Sequence, residues 1–179
     1  MSTSNRNFSD SGSGFASTSS ADHRVHICFV CTGNICRSPM AEVIVHDALA
    51  DASLDTHART SSCGIGGWHI GEGADPRTVT ELGNAGHDGT AHRAAQFGPE
   101  HADADLFVAL DKGHVRDLQD LGVSPASIRL LRSFDTDAPE DAEVADPYYG
   151  TAADFVTCRQ QIEAAIPGLI AWVRQNMTS

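Results

Sequence analysis

Cys31 and Arg37 stand six positions apart across Thr32, Gly33, Asn34, Ile35 and Cys36. An apolar run from Val25 to Val30 leads into this segment, and Ser38-Pro39 leads out of it into a helical pattern. The order is strand, tight loop, helix. A loop that curls this tightly turns several backbone N–H groups toward its centre, above the N-terminus of the following helix. Such a nest binds a tetrahedral oxyanion, of which phosphate is the commonest. The same positive field favours a thiolate at Cys31, the nucleophilic form of the side chain. Arg37 stays charged and presents a planar fork that matches two phosphoryl oxygens. Nucleophile, anion cradle and bidentate clamp in one loop read as a site of phosphoryl transfer.

Breaking a phosphate monoester also requires a proton for the leaving oxygen, and a positioned general acid is worth about 10²–10⁴-fold. The acid must reach the loop from another segment. Asp146 is the candidate, because Pro147 stiffens its backbone and Tyr148 and Tyr149 follow. Their rings could wall a slot for a flat phenyl group.

These residues need a scaffold, and the hydropathy pattern supplies one. Residues 1–22 are rich in Ser and Gly and carry too little apolar surface to fold, so a disordered tail is expected ahead of one domain over 23–179. Val25 to Val30 is apolar on both alternating faces except at His26, the mark of a central strand covered on two sides. Ser38 as cap and Pro39 at the first position predict a helix ending near Ala50. Arg59 to Cys63 is a weaker strand, followed by a Gly-rich loop that presents Trp68-His69. Asp75-Pro76 opens a second helix, stopped over Asn84 to Gly86. Asp105 to Asp111 is another buried strand, Lys112 to Leu121 a helix, and Ile128 to Leu131 a fourth strand. An acidic loop over Ser133 to Gly150 precedes a last helix from Thr151 to Arg174, with a disturbance expected at Pro167-Gly168. Alternating strands and helices predict an α/β domain with a doubly wound, parallel four-stranded sheet flanked by helices. Ligands in such sheets sit at the carboxyl ends of the strands, the edge shared by the Cys31 loop, Asp111 and the acidic loop.

Composition narrows the function classes. The 179 residues are 41% hydrophobic and 20% charged with a net charge of −12, which argues against nucleic-acid and anionic-membrane partners. Five cysteines form an odd set without a disulfide-framework spacing, as expected of thiols in a reducing compartment. No stretch has the length of a membrane span and no signal-peptide layout is present, so cytoplasm is the expected location. Export without a signal peptide would leave no trace in such a reading. No nucleotide fingerprint occurs, and no cofactor or metal is implied.

The string C-T-G-N-I-C-R-S-P with D-P-Y-Y-G resembles the low-molecular-weight protein tyrosine phosphatases, over about Val25 to Arg174. His92-Arg-Ala-Ala-Gln96, Leu106 to Asp111 and Asp154-Phe155 are similar to their bacterial branch. The resemblance implies that Cys31 attacks phosphorus to form a cysteinyl-phosphate, with Arg37 and the N–H groups of residues 32–37 holding the oxygens. It implies that Asp146 protonates the tyrosine oxygen and then serves as base for the hydrolytic water. Ser38 would hydrogen-bond the Cys31 sulfur, and Asn34 would hold the loop through Ser62 and His92. Trp68, His69, Tyr148 and Tyr149 would line the entrance, and Cys36 would form a reversible disulfide with Cys31. Substrates would be phosphotyrosine proteins, a tyrosine kinase among them, acted on by a monomer or weak dimer. Asp111 matches a family aspartate, with a strand-end structural acid as the alternative. The other seven histidines receive surface or core roles.

Three rivals are weaker. A thiol-linked arsenate reductase of the same fold needs two relay cysteines downstream, whereas Cys63 and Cys158 each stand alone. A zinc site at Cys28-x2-Cys31 lacks a second ligand pair. A non-catalytic phosphotyrosine-binding module would have lost catalytic groups from the motif, and none is missing.

Overall fold

Seven consecutive buried residues, Val25–Cys31, form strand β1, and the rest of the molecule is laid around them. The computed structural model describes residues 22–178. The predicted tail therefore lies outside the described residues apart from Asp22, which forms ion pairs with Arg24 and Arg59. In chain order β1 is followed by α1 (Arg37–Asp51), β2 (Ala58–Gly64), α2 (Pro76–Asn84), α3 (Pro99–Ala102), β3 (Leu106–Ala109), α4 (Lys112–Asp120), β4 (Ile128–Leu130) and α5 (Ala152–Asn176). The strands pair in the order β2-β1-β3-β4, and every pairing is parallel. This is the doubly wound sheet expected from the sequence.

The absence of polar alternation in β1 follows from burial on both faces. Ile27 and Phe29 point into a core formed with α1 and α5, where Met40, Ile44, Leu49, Phe155, Ile162 and Leu169 are buried. Cys28 and Val30 point the other way, onto Phe107, Leu118 and Ile128. Cys28 and Cys31 thus leave the strand on opposite faces. Cys28 meets Cys63 instead, with their sulfurs 3.7 Å apart and both thiols fully buried.

Helix starts follow local chemistry in some places and not in others. Asp75 caps α2 as predicted, accepting from Arg77 N at 2.9 Å ahead of Pro76. Helix α1 departs from expectation. It begins at Arg37 with no side-chain cap, and Ser38 lies inside its first turn with its hydroxyl engaged elsewhere. The short α3 was not foreseen, because four residues carry no periodicity. Helix α5 runs unbroken through Pro167, whose ring nitrogen leaves the Glu163 carbonyl without its usual helical donor. Gly168 next to it allows a close crossing: a β-carbon there would sit 2.2 Å from the Phe134 carbonyl oxygen. Gly168→Ala should accordingly lower stability by about 1–3 kcal/mol through overpacking against rigid backbone, read as a lower urea midpoint with an unchanged slope.

Three histidines lie in or against the sheet: His26, His101 and His114 are each under 5% exposed. Burial holds all three below the ordinary histidine pKa, with His114 down to about 4. The unfolded chain therefore binds more protons than the native one once pH drops below about 6.5, so folding stability falls with pH there. Urea unfolding at pH 7 and pH 5 should show a clear loss at the lower value. Stability that is flat or rises between them would contradict it.

Candidate active site

The loop between β1 and α1 is held open by its carbonyls. Cys31 O accepts from Ile65 N at 3.0 Å and Thr32 O from Gly66 N at 2.9 Å. Asn34 O accepts from His92 Nε2 at 2.7 Å, and Ile35 O from Asp75 N at 2.8 Å. No cis peptide bond occurs among the described residues. In a trans peptide the next N–H points opposite to the carbonyl, so the N–H groups of Thr32, Gly33, Ile35 and Cys36 are turned inward. The result is an anion nest at the carboxyl end of the central strand. Gly64 permits the close approach: a β-carbon there would lie 3.0 Å from backbone atoms of Thr32 and Gly33.

Asn34 makes the curl. Its φ of 58° is left-handed, a conformation that asparagine tolerates better than most residues. The side chain is fully buried, and its hydrogen-bonding groups are taken up. Nδ2 donates to Ser38 Oγ at 2.8 Å and Ser62 Oγ at 2.9 Å, while Oδ1 accepts from Ala95 N at 2.9 Å. Ser62 in turn donates to Glu42 Oε2 at 2.5 Å, and the same oxygen lies 3.8 Å from His92 Nδ1. Ser38 Oγ accepts from Asn34, which leaves its own hydrogen for the Cys31 sulfur 2.8 Å away. The sequence-predicted group Asn34, Ser38, Ser62 and His92 is thus one connected network. Glu42, which anchors it, was not identified from the sequence.

Arg37 is 3% exposed, and its guanidinium is fixed from behind. Nη1 donates to Asp111 Oδ2 and to the Val144 carbonyl, both at 2.9 Å. Nη2 faces the cleft, 3.5 Å from Thr32 Oγ1 and 3.6 Å from Asp146 Oδ2. Asp111 also caps α4, accepting from His114 N at 3.0 Å. Burial alone would raise the Asp111 carboxyl, but the field of His114 and the hydrogen bond from Arg37 outweigh it and hold the group below its ordinary value. Both readings of Asp111 are therefore correct at once.

The acidic loop reaches the site through Val144. This fully buried residue donates its N–H to Leu110 O at 2.9 Å and gives its carbonyl to Arg37. Two residues on, Asp146 stands over the cleft, with Oδ1 accepting from Tyr148 N at 3.1 Å. Tyr148 and Tyr149 pack edge to face at 4.8 Å, and Arg77 lies over the Tyr148 ring at 5.6 Å. Across the opening Trp68 is 72% exposed. It rests on Gly66, where any β-carbon would collide with the indole at 1.8 Å. His69 leans on Gly33, its Nδ1 paired to Glu72 Oε2 at 2.7 Å. Together Cys31, Arg37, Asp146, Trp68, His69 and the two tyrosines enclose a cleft of about 300 Å³.

Cys36 also lines this cleft, although its side chain is 95% buried (5% relative exposure). Burial first, and then the nearby Asp75 carboxylate, pushes its thiol up to about 12. Cys158 is likewise buried, and its thiol is raised to about 12 by burial.

The sequence brought every predicted site residue to the right edge of the sheet, but it set His114 aside. Its Nε2 lies 3.0 Å from Thr32 Oγ1, inside the phosphate loop's own surroundings. The available signal was its place three residues after Asp111, the spacing of a capping box.

Over residues 26–179 the sequence matches the family described as low molecular weight phosphotyrosine protein phosphatase. Low molecular weight protein-tyrosine phosphatase A of Mycobacterium tuberculosis is 49% identical over 154 residues, covering 86% of this chain and 94% of that protein. The crystal structure of YfkJ from Bacillus subtilis is similar at a TM-score of 0.78 and 32% identity, covering 85% of this chain and 96% of its own. YwlE arginine phosphatase, in a mutant with a phosphorylated active-site serine, is similar at a TM-score of 0.75 and 25% identity, covering 85% and 97%. With the loop, the acid and the parallel sheet in their places, these matches show that the chain belongs to the low molecular weight phosphotyrosine protein phosphatase family.

Proposed function

We propose that this protein hydrolyses phosphotyrosine in proteins through a cysteinyl-phosphate. The observation that carries the reading is the convergence of Cys31, Arg37 and Asp146 on one aromatic-walled cleft, with Asp146 Oδ2 3.6 Å from Arg37 Nη2. A phosphoryl group in the nest places its non-bridging oxygens against inward N–H groups and the free edge of Arg37, where most of the charge lies in the transition state. Cys31 Sγ attacks phosphorus from below, and the P–O bond to the phenol breaks above. Asp146 protonates that oxygen and then takes a proton from the water that hydrolyses the cysteinyl-phosphate. Ser38, donating to the sulfur, stabilises the thiolate as it leaves phosphorus.

The depth of the cleft and its walls favour a flat aryl ester over a short serine ester. Trp68, His69, Tyr148 and Tyr149 are the residues that select the substrate. Cys36 is the partner of an oxidised Cys31 in a reversible disulfide. Its high thiol pKa keeps it a poor competitor for phosphorus in the reduced enzyme. Substrates include phosphotyrosine proteins of the cytoplasm, a tyrosine kinase among them, and the enzyme works as a monomer or weak dimer. No helix among the described residues is long and apolar enough to cross a membrane.

Phosphate release should be measured from phosphotyrosyl, phosphoseryl and phosphoarginyl peptides, with excess chelator present. Release from phosphotyrosine is expected to dominate; dominance of phosphoarginine would move the substrate class to that of YwlE. Cys31→Ser should lose turnover by at least about 10³-fold while keeping inorganic phosphate binding. Retained turnover would remove Cys31 as the nucleophile. Asp146→Ala should slow esters of poor leaving groups by about 10²–10⁴-fold and esters of acidic phenols far less. A uniform loss would remove Asp146 as the acid.

A further inference from the structure

His114 is buried between Asp111 and the phosphate loop, 3% exposed. Its Nδ1 accepts the Asp111 N–H at 3.2 Å, so the neutral ring carries its proton on Nε2, facing Thr32 Oγ1 at 3.0 Å. The His114 N–H donates to Asp111 Oδ1 at 3.0 Å, and Asp111 Oδ2 takes the Arg37 guanidinium at 2.9 Å. One residue therefore fastens both the side chain next to the nucleophile and the carboxylate that orients the clamp.

The consequence for Thr32 comes from counting lone pairs. A hydroxyl has one hydrogen to give and two lone pairs to offer. The neighbours of Thr32 Oγ1 are His114 Nε2 and, at 3.5 Å, Arg37 Nη2. In this arrangement both are donors, so they occupy the lone pairs and leave the hydroxyl hydrogen unclaimed. Thr32 lines the cleft beside Cys31 and Arg37, where an anion offers the nearest acceptor.

Building on the phosphatase reading above, we propose that the Thr32 hydroxyl is a further donor to the bound phosphoryl group and that His114 is the positioning residue that turns it there. The donor adds to the backbone nest and to Arg37 without adding charge. A neutral imidazole suits the task, since a second proton on Nδ1 would face the Asp111 N–H and break the cap.

The test is calorimetric titration of the full chain with inorganic phosphate, which needs no turnover. Thr32→Val keeps the shape and removes the hydroxyl, and affinity should fall about tenfold or more, the scale of a hydrogen bond to a charged group. Thr32→Ser should restore it to within about threefold of the parent, a margin below one such bond. His114→Gln should weaken phosphate binding in the parent but by less than about twofold in the Thr32→Val background, as for two groups acting as one unit. Should that variant fail to fold, long-range ¹H–¹⁵N spectra of the parent read the imidazole directly, and the Nε2–H tautomer is expected. Unchanged affinity in Thr32→Val, no recovery in Thr32→Ser, independent losses in the double variant, or an Nδ1–H tautomer would each overturn the assignment. Hydrolysis of a phosphotyrosyl peptide by the parent is measured alongside. Its absence would sink the phosphatase reading while the binding titrations still judge Thr32 and His114.

Discussion

The left-handed backbone at Asn34 is the constraint on which the site depends. A residue with a β-carbon is held there against a cost of about 1–2 kcal/mol, and an amide bonded through both its nitrogen and its oxygen offsets it. With that residue fixed, the carbonyls on either side turn outward to β2, the segment before α3 and the α2 cap, and the amides turn inward. The empty cradle is thus already shaped for an anion, and binding one requires little reorganisation of the loop. The same network delivers a hydroxyl to the nucleophile, so loop shape and sulfur environment are set by one set of bonds.

The second constraint is electrostatic. A chain of net charge −12 has to present a positive pocket, and it does so by burying one guanidinium. Asp111 and the Val144 carbonyl satisfy one side of Arg37, so the cation is desolvated without being neutralised at its working edge. Those two partners also tie α4 and the acidic loop to the site. The loop that brings Asp146 into place is therefore anchored by the residue it works with.

Much of this was legible in the sequence, and what was not has a common physical cause. The run Val25 to Val30, the cap at Asp75 and the Asp-Pro-Tyr-Tyr turn are local patterns, readable because backbone preference and burial there agree. Ser38 was read as a helix cap because serine before proline has that local meaning. Its actual partners are a sulfur and an amide across the loop. His114 was set aside for the same reason, since Thr32 lies 82 residues away in sequence. Val144 and Glu42 look like ordinary loop and helix residues until the fold places a guanidinium and a serine hydroxyl against them. Partnerships made by tertiary packing leave no periodicity to read.

The seat of Trp68 on Gly66 divides the site into two parts of different evolutionary freedom. The indole owes its place to a missing side chain rather than to a bond with the phosphate loop. Exchanges at residues 66–70 can therefore reshape the mouth while the cradle beneath keeps its network. Selectivity can drift on this surface at little cost to chemistry, so members sharing the same loop are free to diverge in the proteins they recognise.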